Sequence, residues 1–300
     1  TRRSSDLCYA PSVLWQNPAR KCAGRNPGTL PPATHRHATR HIQECNWFQA
    51  FEGGFDVSHL CFLHRGDTPD GGMRTLPKYY ETANTDYGFV SGSGRDLEGG
   101  ATAWGVNIMA VPFHKIIARP GDVPIGYHAW VPIDDENCMI YSIEYRPHRA
   151  LNDEEMRASR EWRYIHAETM PGSDRCVRNL DNDFMIDREL QKSGKSYTGL
   201  KGFGIQDCGI QESMGPISDR TREHLGQQDK AITTYRRLLR QAIEDTKNGG
   251  RPLMALDART APALTGPAAV DGIGPTADWK GYYEKTDAVK RKGAIWANGR

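Results

Sequence analysis

The hydrophobic pattern predicts one long amphipathic helix between residues 227 and 247. Its apolar residues recur at spacings of three and four, which places them on one face of a helix. Asn248-Gly-Gly250 follows as a C-terminal stop signal. We therefore expect five apolar side chains of this segment in the core: Ile232, Tyr235, Leu238, Leu239 and Ile243.

Short apolar runs earlier in the chain predict strands. Turn signals such as Arg119-Pro-Gly-Asp122 and Asp134-Asp-Glu-Asn137 separate them. Because successive strands with short connections favour antiparallel pairing, we expect an antiparallel sheet. The predicted strands cover residues 88–90, 101–117, 127–133 and 138–145, and a further helix with an acidic first turn is predicted over 152–162.

Both ends of the chain lack a sustained hydrophobic period. Residues 1–40 are rich in Pro, Arg and small residues, so we expect an irregular linker there. His35, His37 and His41 cluster near its end; such clusters without acidic partners are more often not ligands, and a metal-binding role is the alternative. The remainder, 41–300, is predicted to be one domain with a loop-rich extension from about residue 251.

Composition narrows the class of protein. The 39 basic and 37 acidic residues leave a formal net charge of +2, which gives no electrostatic reason to expect nucleic acid or an anionic membrane as partner. No apolar run of the sequence approaches the ~18 to 20 residues that span a bilayer. Seven cysteines without a Cys-x-x-Cys pair are typical of reduced thiols. We expect a soluble cytoplasmic protein.

One segment carries candidate chemistry: Asp56-Val-Ser-His59, with His64 five residues further on. Two imidazoles and a carboxylate in this order suit a mononuclear iron site. The aromatic run before it predicts a helix that carries these residues. On a regular helix His59 and His64 would stand about 140° apart, so we expect a break or bulge between them. The alternative is an Asp56 that caps a helix beside two partly buried histidines.

An iron that binds both oxygen and substrate needs open coordination positions, so proteins commonly supply two imidazoles and one carboxylate. The third ligand must come from elsewhere in the chain. Asp207 lies in Gly202-Phe-Gly-Ile-Gln-Asp207, a glycine-rich strand-to-helix transition that can present a side chain to a cavity. By spacing alone, Asp207 is equally a helix N-cap.

Three stretches of the sequence resemble the oxygenase component of Rieske-type aromatic-ring-hydroxylating oxygenases, nearest to the phthalate dioxygenase branch. They are Asn46-Trp-Phe-Gln-Ala-Phe-Glu-Gly-Gly-Phe-Asp-Val-Ser-His-Leu-Cys-Phe-Leu-His64, Ile205-Gln-Asp-Cys-Gly-Ile-Gln-Glu-Ser-Met-Gly215 and Asp219-Arg-Thr-Arg-Glu-His-Leu-Gly226. The resemblance implies an α+β helix-grip fold of the START/Bet v1-like type, with an antiparallel sheet over a long helix. It also implies that His59, His64 and Asp207 ligate Fe(II), while Asp56 bridges to the electron-donating cluster of a neighbouring subunit.

The chain departs from this family in two places. Some members carry an Asn just before the bridging Asp, where this chain has Glu52 and Gly53, so Glu52 has no assigned role. The family holds its [2Fe-2S] cluster with Cys-x-His and Cys-x-x-His. No cysteine here has His two residues later, and Cys61-Phe-Leu-His64 shares its histidine with the predicted iron site. We expect a catalytic domain whose Rieske module is missing or supplied in trans.

The resemblance implies that an aromatic compound, with an aromatic carboxylate favoured, is hydroxylated with O2. A reductase and a Rieske electron donor are the implied partners, in a homotrimer or stacked trimers. Arg95 is the candidate counter-charge for a carboxylate, with a solvated loop arginine as the alternative. Met109, Phe113 and Trp130 either line the pocket or belong to the core.

Two other functions remain open at this point. A ligand-binding module of the same fold, without redox activity, would explain the absent cluster ligands. A zinc-dependent hydrolase would use the same two histidines and one aspartate.

Overall fold

The computed structural model describes residues 32–65, 75–85, 87–117, 119, 122–250, 252, 270–275 and 278–292. Within them the central element is an antiparallel sheet in the order β1-β7-β6-β5-β4-β3-β2, with β8 paired to β4. The strands are β1 Arg36–Gln43, β2 Tyr79–Thr85, β3 Gly88–Asp96, β4 Ala101–Ala110, β5 His114–Ile117, β6 Ile125–Pro132, β7 Cys138–Tyr145 and β8 Val270–Pro275.

Helices cover the sheet and connect its strands. They are α1 Trp47–Gly53, α2 Asp153–Arg160, α3 Arg188–Lys192, α4 Phe203–Glu212, α5 Lys230–Lys247 and α6 Trp279–Lys292. The long helix α5 packs on β2 and β3. An antiparallel sheet against a long helix is the α+β arrangement that the sequence predicts, and the fold class is confirmed.

An aromatic core joins α5 to α1. The Tyr235 ring lies 4.8 Å from the ring of Phe51 and 4.9 Å from that of Phe55, and all three side chains are buried. Such ring pairs add roughly 0.5–1.5 kcal/mol each beyond the area they bury. The Tyr235 hydroxyl donates to the carbonyl of Pro112 at 2.7 Å. This packing fixes the end of α1, from which the predicted metal-binding loop departs.

Glu52, which the sequence left without a role, forms an ion-pair network at the same place. Its buried carboxylate accepts from Arg236 of α5 at 2.6 Å and pairs with Arg220. Arg236 also contacts Glu223 at 2.6 Å. The network ties α1 to α5 and to the segment 219–226, so Glu52 acts in packing rather than at the metal.

The ends of the domain differ from the sequence prediction. Strand β1 begins at Arg36, so residues 36–40 of the predicted linker belong to the sheet. Its buried residues His41 and Gln43 are polar, which hides the apolar alternation of a strand. Residues 1–31 lie outside the described residues. In the predicted loop-rich extension the structure contains β8 and α6.

Helix α5 confirms the predicted helix, beginning three residues later than expected at Lys230. Ile232, Tyr235 and Leu238 are buried and Leu239 packs against their cluster. Ile243 is 45% exposed, so its prediction as a core residue is wrong. It lies in the last two turns of α5, which ends at Lys247.

Across the described ranges, no helix has both the length and the apolar composition that crossing a bilayer requires.

Candidate metal centre

The predicted ligand segment forms a tight loop after α1. Helix α1 ends at Gly53, and His59 begins a single 3-10 turn, His59–Cys61. The Asp56 carboxylate accepts from the backbone N–H of Ser58 at 2.7 Å and from that of His59 at 3.0 Å. The prediction that a helix carries these residues is wrong, because helix α1 stops before them. The predicted break of a helix between His59 and His64 is therefore also wrong, since the chain leaves the helix before His59.

A side-chain amide of α4 orients His64. The Nδ1 of His64 lies 2.7 Å from Oε1 of Gln206, whose Nε2 donates to the carbonyl of Leu200 at 2.9 Å. Because Gln206 thus presents an oxygen, we assign the His64 proton to Nδ1, which leaves Nε2 free to ligate. The His64 ring also stacks on Phe203, with centroids 4.6 Å apart.

Asp207 of α4 meets both histidines. Its Oδ1 lies 3.1 Å from His64 Nε2 and 3.5 Å from His59 Nε2. Burial alone would raise the pKa of Asp207, but the imidazoles of His64, His59 and His128 hold it below its ordinary value. Asp207 is inside the helix rather than at its N-cap, which is Gly202.

These three side chains fit a single metal ion. Two donor atoms about 2.1 Å from one ion, at tetrahedral or octahedral angles, are about 3.0–3.4 Å apart. The two distances from Asp207 Oδ1 agree with this, and all three donor atoms lie within 4.8 Å of one another. Among the described residues this is the single such group of His, Cys, Asp or Glu side chains, and His35, His37 and His41 do not form one. The donor set suits Fe(II) and Zn(II) alike.

Asp56 lies on the Nδ1 side of the His59 ring, whereas Asp207 lies on the Nε2 side. The Nδ1 of His59 is buried and lies 3.5 Å from Asp56 Oδ2. Burial tends to raise the pKa of Asp56, but His59 and the amides of Ser58 and His59 bring it below its ordinary value. The Asp56 side chain is 30% exposed, so one edge of the carboxylate faces solvent.

A cavity of about 330 Å³ opens above the three ligands. Most of its wall is apolar or aromatic, including Leu60, Ile117, Trp130, Tyr164 and Phe203. Trp130 lines the cavity as well as packing in the core. Met109 and Phe113 are buried core residues and do not line it.

Arg95 does not line this cavity. Arg95 lies on β3, and its Nε donates a hydrogen bond to the carbonyl of Thr75 at 2.6 Å. Among the described residues, the cations of the cavity wall are Lys115 and Arg119, which sequence reasoning missed. Lys115 directly follows another buried polar residue, His114, so composition alone does not mark it as an inward-facing cation.

Gln206 provides a test of the histidine arrangement. Replacing Gln206 with Leu removes the acceptor of the His64 Nδ1 proton, so the imidazole loses its orientation. Removing such a hydrogen-bond partner typically costs 10–100-fold in metal affinity, and we expect a loss of about that size. Competition with a chromogenic chelator measures it. Gln241→Leu, on the exposed side of α5, is the control; equal metal affinity in the two variants would contradict the assignment.

The carboxyl group of Glu212, at the end of α4, is expected to make the free energy of unfolding depend on pH. Burial raises its pKa to about 7, against an ordinary value of 4.5. Between these values the carboxyl group ionises in the unfolded chain and keeps its proton in the folded chain, so the contribution of Glu212 to stability falls by about 2–3 kcal/mol as the pH rises from about 4.5 to about 7. The buried His41, His114 and His128, whose pKa values are lowered, contribute a slope of the opposite sign. Urea unfolding at several pH values measures this slope. The difference in stability between wild type and Glu212→Gln should change by about 2–3 kcal/mol over this range, and the difference for the exposed Glu98→Gln should stay constant; a slope in Glu212→Gln equal to that of the wild type would disprove the assignment.

The fold and site define an α+β domain with a two-histidine, one-carboxylate centre beneath an apolar cavity. The family model described as "LigXa C-terminal domain like" matches residues 110–296, which include Asp207. The chain therefore belongs to the LigXa C-terminal domain-like family.

Two curated relatives of this chain are named as oxygenase subunits. The phthalate 4,5-dioxygenase oxygenase subunit of Pseudomonas putida is 30% identical over 244 residues, which are 72% of this chain and 54% of that protein. The 3-chlorobenzoate-3,4-dioxygenase oxygenase subunit of Comamonas testosteroni is 29% identical, over 70% of this chain and 54% of that protein. The chain thus spans about half the length of the curated relatives it matches. The resemblance to Rieske-type oxygenase catalytic domains is confirmed.

A solved structure is also similar: the Pseudomonas putida CBB5 NdmA QL mutant with caffeine. Its TM-score is 0.44 at 16% identity, covering 87% of this chain and 62% of that one. A likeness of this size carries no argument about function.

Proposed function

We propose that this chain is the catalytic domain of an oxygenase component that hydroxylates an aromatic compound with O2. His59, His64 and Asp207 would hold Fe(II), and Asp56 would pass electrons from a Rieske [2Fe-2S] centre supplied by another module. The observation that carries the proposal is the meeting of these three donor atoms within 4.8 Å. Family membership and the names of the curated relatives support it.

Held by this set, Fe(II) would supply the oxygen-activating redox chemistry, and the chain would supply orientation. Gln206 fixes the His64 ring with Nε2 towards Asp207. The loop hydrogen bonds of Asp56 place its Oδ2 beside His59 Nδ1. A carboxylate accepts from two donors at once, so Asp56 can join His59 to an imidazole of a docked electron donor through its exposed edge.

The wall above the ligands selects the substrate class. The side chains of Trp130, Tyr164 and Phe203 line the cavity and would exclude water from the reacting centre. Its volume of about 330 Å³ is at the small end of ligand pockets and suits a compound with one aromatic ring. We propose assembly into a trimer, because the bridging role of Asp56 requires a donor from a neighbouring subunit.

Product analysis tests this function. The iron-loaded chain would be supplied with a Rieske module, its reductase, NADH and 18O2, with benzoate and phthalate as substrates. The proposal expects a ring-hydroxylated product that contains 18O and depends on all components. Hydrolytic activity of a zinc-loaded protein would favour a hydrolase, and aromatic-ligand binding by a chain that holds no metal would favour a binding module; either result without 18O product would contradict the proposal.

A further inference from the structure

Lys115 is a buried cation that the proposed electron transfer and metal binding do not use. It lies on β5, is 9% exposed, and lines the cavity above the metal ligands. In the sheet register it faces His128 of β6, which lines the same cavity. A lysine so deeply buried needs a partner, because an uncompensated charge in an apolar site costs several kcal/mol.

The described residues provide only part of the partners that the ammonium group of Lys115 needs. Lys115 Nζ donates one hydrogen bond to the carbonyl of Gly54. An ammonium group has three N–H donors. Among the described residues, no carboxylate oxygen lies within ion-pair distance of Lys115, so the remaining donors are available to a ligand in the cavity.

The other cation of the wall is already neutralised. Arg119 pairs with the buried carboxylate of Glu144, donates to the carbonyl of Pro124 at 3.2 Å, and lies over the ring of Tyr164 at 4.7 Å. Arg119 and Lys115 therefore differ in whether a carboxylate of the protein pairs with them. Arg119 holds the wall together, whereas Lys115 presents a charge to the cavity.

Charge balance points to one negative charge on the ligand. Asp56 and Asp207 together offset a divalent ion at the ligand set, and Glu144 offsets Arg119. The positive charge of Lys115 is then left without a compensating negative charge among the described residues of the cavity. Burial lowers the pKa of Lys115 to about 8, while Asp207 and Asp56 favour its charged form, so the ammonium form predominates at pH 7.

We propose that Lys115 is the specificity-determining residue that binds the carboxylate of an aromatic monocarboxylate substrate. The proposal rests on the proposed function and deepens it. It replaces Arg95, the residue that the sequence favours for this role, and it favours a benzoate-like acid over a phthalate-like diacid, whose second carboxylate would find no further uncompensated cation among the described cavity residues.

Ligand binding without turnover tests this proposal. The Fe(II)-loaded chain, kept free of oxygen and reductant, would be titrated calorimetrically with benzoate, with neutral benzamide, and with phthalate. Since a hydrogen bond between two charged groups is stronger than one from an ammonium to a neutral amide, benzoate should bind at least about tenfold more tightly than benzamide. We expect phthalate to bind more weakly than benzoate.

Substitutions at Lys115 and Arg95 test which residue causes the preference for benzoate over benzamide. Lys115→Met and Lys115→Gln should abolish the preference for benzoate over benzamide and leave iron content unchanged; Lys115→Arg should keep the preference. Arg95→Met is the matched control and should retain it. A preference that survives in Lys115→Met or Lys115→Gln, disappears in Arg95→Met, or is absent from the wild type would overturn the proposal.

Two further results separate this proposal from the proposed function. A carboxylate bound by the metal rather than by Lys115 would lose its affinity on chelation and keep it in Lys115→Gln, which would overturn the role of Lys115. Absence of hydroxylated product, with the Lys115-dependent preference intact, would contradict the oxygenase function while leaving the carboxylate site in place.

Discussion

Asp207→Asn is expected to lower bound iron from one equivalent per chain to below about one tenth, while the protein stays folded. The substitution keeps the shape of the side chain but replaces an anionic oxygen by a neutral one. Oδ1 of Asp207 is the atom that lies 3.1 Å from His64 and 3.5 Å from His59. Loss of the single carboxylate removes the negative ligand that a divalent ion prefers over water.

Metal quantification after desalting measures this effect, and circular dichroism checks the fold. Asp153→Asn, in the exposed first turn of α2, is the control and should bind as much iron as the wild type. Iron content equal to the wild type in Asp207→Asn would show that Asp207 is not a ligand.

Asp56→Asn is expected to keep the iron and to slow coupled turnover by at least about 100-fold. The two backbone N–H groups of Ser58 and His59 bind different oxygens of Asp56, so an asparagine oxygen can keep one of these two loop hydrogen bonds. What is lost is the negative charge beside His59 Nδ1 and the second charged acceptor for an electron-donating partner.

Single-turnover product formation, compared with iron content, separates these two effects. Asp134→Asn is a close structural control, because Asp134 also accepts from the backbone N–H groups two and three residues later, at 2.8 and 2.7 Å, but on an exposed turn. It should behave as wild type. Coupled turnover within a few-fold of wild type in iron-replete Asp56→Asn would refute the bridging role.

The fold was predictable where burial followed a regular period. The sequence located helix α5 and the strands β6 and β7, which have apolar residues at helical or strand spacing. It covered only residues 88–90 of β3 and predicted β4 and β5 as one stretch over 101–117. Strand β1 was missed because its buried face is polar, with His41 and Gln43 lining the cavity. Strand β2 was missed because it is an edge strand with half-buried residues and no clear alternation.

The site was predictable where ligands follow one another in the sequence or in a family motif. Local spacing pointed to Asp56, His59 and His64. The glycine-rich context of Asp207 left it equally a ligand or a helix N-cap, and the family resemblance favoured the ligand role. The contact of His64 with Gln206 joins residues 142 positions apart, and no local pattern encodes it. Lys115 was missed for a different reason: its role depends on which face of β5 points into the cavity, and that is set by sheet register rather than by composition.

The most direct test of the account is a crystal structure of the iron-loaded protein grown without oxygen, with anomalous diffraction measured at the iron absorption edge. We predict one anomalous peak per chain, bonded to Nε2 of His59, Nε2 of His64 and Oδ1 of Asp207. A peak that any of these three side chains fails to reach, or density that responds at the zinc edge and not at the iron edge, would contradict it.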